Sequence, residues 1–214
     1  MKTSEKKVKI NIVTLGACGV GKTSIINRIK DGTFLDNYQA TIGLDFFVIE
    51  RRYDKRDITM SLHFNDTTGL ELYQGIIPVQ YIRNSHIVLF VFSNIETLND
   101  ILKKWYVFYK KNANVENSRF ILVGNKSDIF GNEKEEIERK GKKFAEEIDA
   151  HFITCSAKSA DNMDNLERYI ISEAKRYIDE NANINTKINK KVKLTYDSVY
   201  NLNEQKKQKK RKCC

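Results

Sequence analysis

Residues Gly16-Ala-Cys-Gly-Val-Gly-Lys-Thr23 decide how this chain is read. They match G-x-x-x-x-G-K-[ST], a pattern that has meaning only between a strand and a helix. Both flanks are present: an apolar run at Val8–Leu15 and a helix-like segment at Ser24–Lys30. Glycines let successive backbone N–H groups turn inward onto a phosphate chain. The helix that follows presents its positive N-terminal end to the same anion. In such a loop Lys22 neutralises the β- and γ-phosphates and the Thr23 hydroxyl ligates Mg²⁺.

Outward from that loop, apolar runs alternate with amphipathic stretches. Strand-like runs are Val8–Leu15, Phe46–Arg52, Ile58–Phe64, Ile87–Phe92, Phe120–Val123 and His151–Thr154. Helical periodicity marks Thr23–Lys30, Leu98–Lys111, Glu133–Ile148 and Met163–Asp179. Tyr53-Asp-Lys-Arg-Asp57 reads as a polar hairpin turn between the second and third strands. The remainder is βαβ, which predicts an α/β protein with a mostly parallel six-stranded sheet and helices on both faces. Ligands of such sheets sit beyond the carboxyl ends of the strands.

The chain has 214 residues and is 41% hydrophobic, enough for one domain with a real core and a tail. The longest apolar run, Ile87–Phe92, has the length of a strand and not of a membrane span. The N-terminus lacks the apolar region of a signal peptide. Four cysteines (Cys18, Cys155, Cys213, Cys214) show neither metal-ligand spacing nor a disulfide framework, which suits a reducing compartment. The net charge is +9, and residues 181–214 carry +8 of it. The basicity is therefore a property of the tail. A flexible basic tail points to a membrane or polyanion contact more than to a structured nucleic-acid face. The division expected is a folded body at residues 1–180 and a flexible basic tail at 181–214.

Four further segments recur after strand-like runs. They are Thr41-Ile-Gly43, Asp66-Thr-Thr-Gly69, Asn125-Lys-Ser-Asp128 and Ser156-Ala-Lys158. Each is short; their order and placement make the set specific. The set resembles the Ras-like small GTPases over residues 7–180, a P-loop NTPase fold. The resemblance implies GTP or GDP as ligand, with Mg²⁺ held by Thr23, Thr41 and, through water, Asp66. It implies a nucleotide site of Gly16, Ala17, Cys18, Gly19, Val20, Gly21, Lys22, Thr23 and Ser24, with the Phe34 ring against the base and Tyr38 among the nucleotide-binding residues. Gly69 would donate its N–H to the γ-phosphate. Asn125, Lys126 and Asp128 would read guanine with Ser156, Ala157 and Lys158, Ala157 offering a backbone N–H. An Asp128 carboxylate accepts two hydrogen bonds from guanine. Against adenine it would be left unpaired, at a cost on the order of several kcal/mol.

Within that family, Ile42-Gly-Leu-Asp-Phe46 looks like the segment that marks Rab proteins. Tyr38–Phe46, Ile77-Pro78 and Tyr81–Ser85 look most like the Golgi-associated Rab subfamily. Rab proteins often end in Cys-Cys bearing two geranylgeranyl chains, which the resemblance carries to Cys213 and Cys214. Two chains anchor stably where one is marginal, and the basic run Lys206–Lys212 beside them suits an anionic leaflet. The implied partners are an exchange factor, an activating protein, a GDP-dissociation inhibitor, a Rab escort protein and trafficking effectors. The implied site is the cytosolic face of an intracellular membrane (Golgi or endosomal vesicles), with a cytosolic pool and no nucleic acid bound.

The chain departs from the family where W-D-T-A-G-Q-E becomes Asn65-Asp-Thr-Thr-Gly-Leu-Glu71. Leu70 stands in place of the glutamine that orients the attacking water. It has no donor or acceptor, so intrinsic hydrolysis, already ~10⁻⁴ s⁻¹ in Ras-like proteins, should be slower. An activating protein that supplies a glutamine in trans would still permit assisted turnover. Thr68, in place of alanine, could position water, crowd the phosphate or do neither. Cys18 takes a position usually Gly or Ser. Asn65 replaces a tryptophan belonging to an exposed aromatic patch read by effectors, so a hot spot is lost. The catalytic set is thus Lys22, Thr41, Gly69 and the divergent Leu70. Two alternatives remain: a hydrolysis-deficient, constitutively GTP-bound module that recruits effectors, and a nucleic-acid-binding NTPase using the tail. His63, His86 and His151 read as structural, and Trp105 with Tyr106–Tyr109 as packing.

Overall fold

A computed structural model describes residues 6–36, 41, 44–68, 79–113 and 115–181. Six strands form one sheet: β1 (Lys6–Leu15), β2 (Leu44–Tyr53), β3 (Ile58–Thr67), β4 (Ile87–Phe92), β5 (Arg119–Gly124) and β6 (Ala150–Thr154). Their order is β2-β3-β1-β4-β5-β6. All neighbours run parallel except β2 and β3, which the turn Asp54–Arg56 joins as an antiparallel pair. Asp57 closes that turn in the left-handed region at φ 48°. The expected fold and its polar hairpin are both present.

Helix α1 (Lys22–Asp31) follows β1, and α2 (Val79–Arg83) precedes β4. After β4 come α3 (Ile95–Asp100), a π-helical turn (Ile101–Trp105) and α4 (Tyr106–Asn112). Asn94 caps α3 through a capping box with Thr97: the Thr97 N–H donates to Asn94 Oδ1 at 2.8 Å, and the Asn94 N–H donates to Thr97 Oγ1 at 3.1 Å. Helix α5 (Lys134–Glu147) crosses from β5 to β6. Helix α6 begins at residue 163 and runs to Ala174 within the first compact unit, Met1–Ala174. It buries Met163, Leu166, Ile170 and Ala174, the stripe its period requires. In the second unit, Lys175–Cys214, the described residues 175–181 are helical.

The central strands read as continuous apolar runs because helices cover both faces. Every residue of β4 is buried. One core cluster joins Val13, Phe90, Leu122, Trp105, Tyr109 and Phe144. The rings of Tyr109 and Phe120 meet edge-on at 5.5 Å, as do Tyr106 and Phe144 at 5.9 Å. Trp105 and Tyr109 are thus packing residues, as the sequence suggested.

One expectation needs correction. The segment from Asp66 to Thr67 does not follow the third strand but lies inside it. β3 keeps pairing with β1 through Asn65 and with β2 through Thr67. Asn65 is 3% exposed, and its Nδ2 donates to the Ile12 carbonyl at 3.2 Å.

Candidate functional site

The site assembles at the carboxyl ends of β1, β3, β5 and β6. β1 ends at Leu15, and the loop Gly16–Gly21 turns back over the sheet into α1. Gly16 has φ 150°, and a Cβ there would stand 2.0 Å from the Val91 carbonyl oxygen of β4. Gly21, at φ 93°, begins α1, and a Cβ would stand 2.3 Å from Asn125 Nδ2. The loop can therefore lie this close to the sheet only with glycine at these two places.

Lys22 is buried, and its ammonium group donates to the carbonyls of Gly16 at 2.8 Å and Ala17 at 3.0 Å. A buried cation held over a loop that begins a helix makes an anion cradle. Ala17 is half-buried, Val20 is buried against the sheet, and Cys18 and Gly19 are exposed at the loop's crest. Ser24 is half-buried on the first turn of α1.

Beside the cradle three oxygens converge. Thr23 Oγ1 donates to Asp66 Oδ2 at 2.5 Å and lies 2.9 Å from Thr41 Oγ1. Asp66 is fully buried. Burial pushes its carboxyl above the ordinary carboxylate range, opposed by the hydroxyls of Thr23 and Thr14 and by the Lys22 charge. These are hard oxygen donors with a single carboxylate. That set suits Mg²⁺, which takes one or two carboxylates and completes its shell from water and phosphates. A cation there would also offset the desolvation of Asp66. Among the described residues no group of three His, Cys, Asp or Glu forms another metal cluster.

Asn125 joins the other half of the site to the first. Its Nδ2 donates to the Val20 carbonyl at 2.9 Å, and its Oδ1 accepts the Ala157 N–H at 3.0 Å. Its own N–H donates to the Phe92 carbonyl at 2.8 Å. One buried amide therefore pins the phosphate loop, the end of β4 and the loop after β6. Ser156 Oγ donates to Asp128 Oδ1 at 2.5 Å and accepts the Ser159 N–H at 3.1 Å. Asp128 is exposed, and Lys126 holds the left-handed region at φ 63°. Lys158 is exposed and lies 3.8 Å from Asp36, just past the half-buried Phe34. Segments 125–128 and 156–158, far apart in sequence, thus share one rim.

Three functional supports were missed in the sequence. Thr14 is buried within β1 and donates to Asp66 Oδ1 at 3.2 Å. Thr67 Oγ1 donates to the Thr14 carbonyl at 2.8 Å. Arg28 of α1 donates from Nε to the Ala157 carbonyl at 2.8 Å and from Nη2 to the Lys158 carbonyl at 3.0 Å. A lone hydroxyl inside the apolar run Val8–Leu15 was the available signal for Thr14. Arg28 left none, since a basic residue in a last helical turn is ordinary. Tyr38, Ile42, Gly43, Gly69, Leu70, Ile77, Pro78, Cys213 and Cys214 lie outside the described residues. Thr68 is described just past β3.

Known proteins bear on this geometry. The Ras family pattern matches residues 11–176. A "Ras-related protein Rab7" of Glycine max is 34% identical over 165 residues, covering 74% of this chain and 79% of that protein. A "Ras-related protein RABG3d" of Arabidopsis thaliana is 31% identical over 168 residues, covering 76% of this chain and 80% of that protein. The phosphate cradle, the oxygen cluster and the rim joined by Asn125 therefore have a common explanation: the chain belongs to the Ras family of small GTPases, with Rab proteins among its relatives.

Proposed function

We propose that this GTPase is a Rab-like, membrane-anchored switch in vesicle trafficking whose unassisted hydrolysis is unusually slow. The observation that carries the switch reading is the approach of Thr41 to Thr23 across 2.9 Å. Thr41 belongs to the loop before β2, so this contact ties that loop to the phosphate cradle. A γ-phosphate and its Mg²⁺ would strengthen the tie, and hydrolysis would release it. Bound Mg²⁺ would neutralise charge on the β- and γ-phosphates. Thr23, Thr41 and Asp66 would hold it, Asp66 through water.

Lys22 binds the same phosphates, and Gly69 is assigned the γ-phosphate by its place in the motif. Asp128 selects guanine by accepting and Asn125 positions the surrounding loops; the Ala157 N–H, held here by Asn125 Oδ1 at 3.0 Å, would have to leave that bond to donate to the base. Leu70 can neither accept from nor donate to water, so it cannot hold the nucleophile in line. Cys213 and Cys214 are proposed as prenylation sites, with the basic tail lying against the anionic leaflet. Segments 38–46, 77–78 and 81–85 support the Golgi-associated subfamily; the two relatives carry the Rab7 and RABG names. An exchange factor, an activating protein, a GDP-dissociation inhibitor, a Rab escort protein and effectors complete the cycle.

Single-turnover GTP hydrolysis with Mg²⁺, beside Leu70→Gln, tests the reading. Wild type is expected well below ~10⁻⁴ s⁻¹, with the variant recovering about that rate. A wild type already at the ordinary rate would mean that another group orients the water, Thr68 being the nearest candidate in sequence. A wild type that stays inert even with an activating protein would favour the constitutively GTP-bound module, for which Leu70 is the specific support.

A further inference from the structure

Arg28 lies toward the end of α1, the helix whose first turn carries Lys22 and Thr23. It is half-buried, and its guanidinium makes three hydrogen bonds, every one to a backbone carbonyl. Nη1 donates to the Gly32 carbonyl at 2.5 Å, where its own helix closes. Nε donates to the Ala157 carbonyl at 2.8 Å and Nη2 to the Lys158 carbonyl at 3.0 Å. Nε and Nη2 form one edge of a planar fork, so two successive carbonyls are gripped as a pair. An arginine that served only as surface charge would sit in solvent or on a carboxylate.

A chain of contacts leads from that grip to Asp128. A trans peptide is planar, with its N–H opposite its carbonyl. Holding the Lys158 carbonyl toward α1 therefore turns the Ser159 N–H the other way, where it donates to Ser156 Oγ at 3.1 Å. Ser156 is fully buried, and its hydroxyl donates in turn to Asp128 Oδ1 at 2.5 Å. A hydroxyl has a single proton, and an N–H accepted on its oxygen helps to aim it. Asp128 is exposed, so this charge-assisted bond is what holds its carboxylate in one plane. Two parallel hydrogen bonds from guanine require that fixed plane; a carboxylate free to turn would satisfy one donor at a time.

We infer that Arg28 is a specificity-determining positioning residue, which sets the Asp128 carboxylate for guanine through the backbone of 157–159 and Ser156. One helix thus governs both halves of the site, the phosphates at its first turn and the base through Arg28. Lysine could not take its place, because a single ammonium on a flexible stem cannot span two carbonyls in a fixed geometry. The inference rests on the reading in which Asp128 selects guanine.

The test is competition of unlabelled GDP, IDP and ADP against a fluorescent guanine nucleotide on the full-length protein. IDP lacks the 2-amino group and so offers Asp128 one hydrogen bond in place of two. Wild type should prefer GDP to IDP by about tenfold, as one charge-assisted bond is worth. Arg28→Lys and Arg28→Gln should each lower that ratio at least about threefold, the loss expected of a misaligned bond. Ser156→Ala should lower it as much, and adding it to Arg28→Lys should lower it no further, since both act on one chain of contacts. Arg28→Lys keeps the charge and most of the stem, which covers the case of an Arg28→Gln protein that fails to fold. Affinities for GDP and IDP that fall together, leaving their ratio intact, would reduce Arg28 to a structural brace and overturn the inference. So would losses from Arg28→Lys and Ser156→Ala that multiply in the double variant. A wild type that prefers GDP to ADP and not to IDP overturns the role of Arg28 alone. One that fails to prefer GDP to ADP overturns the guanine reading beneath it.

Discussion

Asn125 and Gly21 meet at the centre of the site, and each limits the other. Gly21 holds φ 93°, and any Cβ would stand 2.3 Å from Asn125 Nδ2. Gly21→Ala should therefore cost both backbone strain, about 1–3 kcal/mol, and the Asn125 bond to Val20. The expected outcome is a loss of GDP affinity of at least tenfold by fluorescent-nucleotide displacement, with little change in far-UV dichroism. An unchanged affinity would show that the loop relaxes without Asn125. The roles of Gly16, Lys22, Thr23 and Asn125 were legible in the sequence because each belongs to a motif whose chemistry requires that residue type at that spacing. Arg28 was not legible, because it acts on the carbonyls of Ala157 and Lys158, 129 and 130 positions away. The place of Asp66 was misread for a related reason. Its segment was expected after the third strand, whereas the ladder with β2 keeps Asp66 and Thr67 in the strand.

At the scale of elements, the helical stretch at 98–111 was expected as one uninterrupted helix. The structure starts it three residues earlier at Ile95, and inserts a π turn from Ile101 to Trp105. Periodicity could find the apolar positions but not the extra residue, since a π turn changes the phase of the stripe without changing its composition. Leu98, Ile101, Trp105 and Tyr109 all face the core. Tyr109 is further fixed by hydroxyl contacts with Ser85 at 2.9 Å and Ser118 at 2.6 Å. Trp105, 2% exposed, is the largest side chain in this packing. Trp105→Ala should destabilise the protein by about 3–5 kcal/mol, read from the urea midpoint at constant slope. Nucleotide affinity under native conditions should change little, because Trp105 packs in the core with Phe90, Leu122 and Phe144 and not in the phosphate loop or the rim. The boundaries of the strands were legible to within three residues at either end. Short α2 had no readable signal, since five residues cannot display a helical period.

At the scale of the molecule, three histidines share one property. Burial lowers the proton affinity of His63, His86 and His151 below the ordinary 6.5, and Lys9 adds to this at His63 and His86. His86 Nδ1 accepts the Asn11 N–H at 3.0 Å, a bond that a protonated imidazole could not accept. Groups with lowered folded-state values hold fewer protons in the fold than in the unfolded chain. Their stabilisation is complete above pH 6.5 and is lost as pH falls through the lower folded values. Urea unfolding should thus show decreasing stability from pH 7.5 to 5.5, with a shallower decline in His86→Asn. A decline unchanged in that variant would place the proton uptake elsewhere. Asp66 acts in the opposite sense, since burial raises its carboxyl.

The sheet has two unequal borders. β6, at one end, has five residues; β2, at the other, has ten and among the described residues pairs only with β3. An open ladder of that length is a template on which a second polypeptide could align. Along it the chain places Asp45, Glu50, Arg51 and Arg52, and the Lys7–Glu50 and Arg51–Glu167 ion pairs with those of Arg52 to Asp54 and Asp57 keep three of these charges engaged at home. Laid antiparallel along the whole of β2, an identical copy would set Asp45 against Arg52 and bring no like charges face to face. The charges along this margin therefore do not by themselves keep two copies from joining edge to edge.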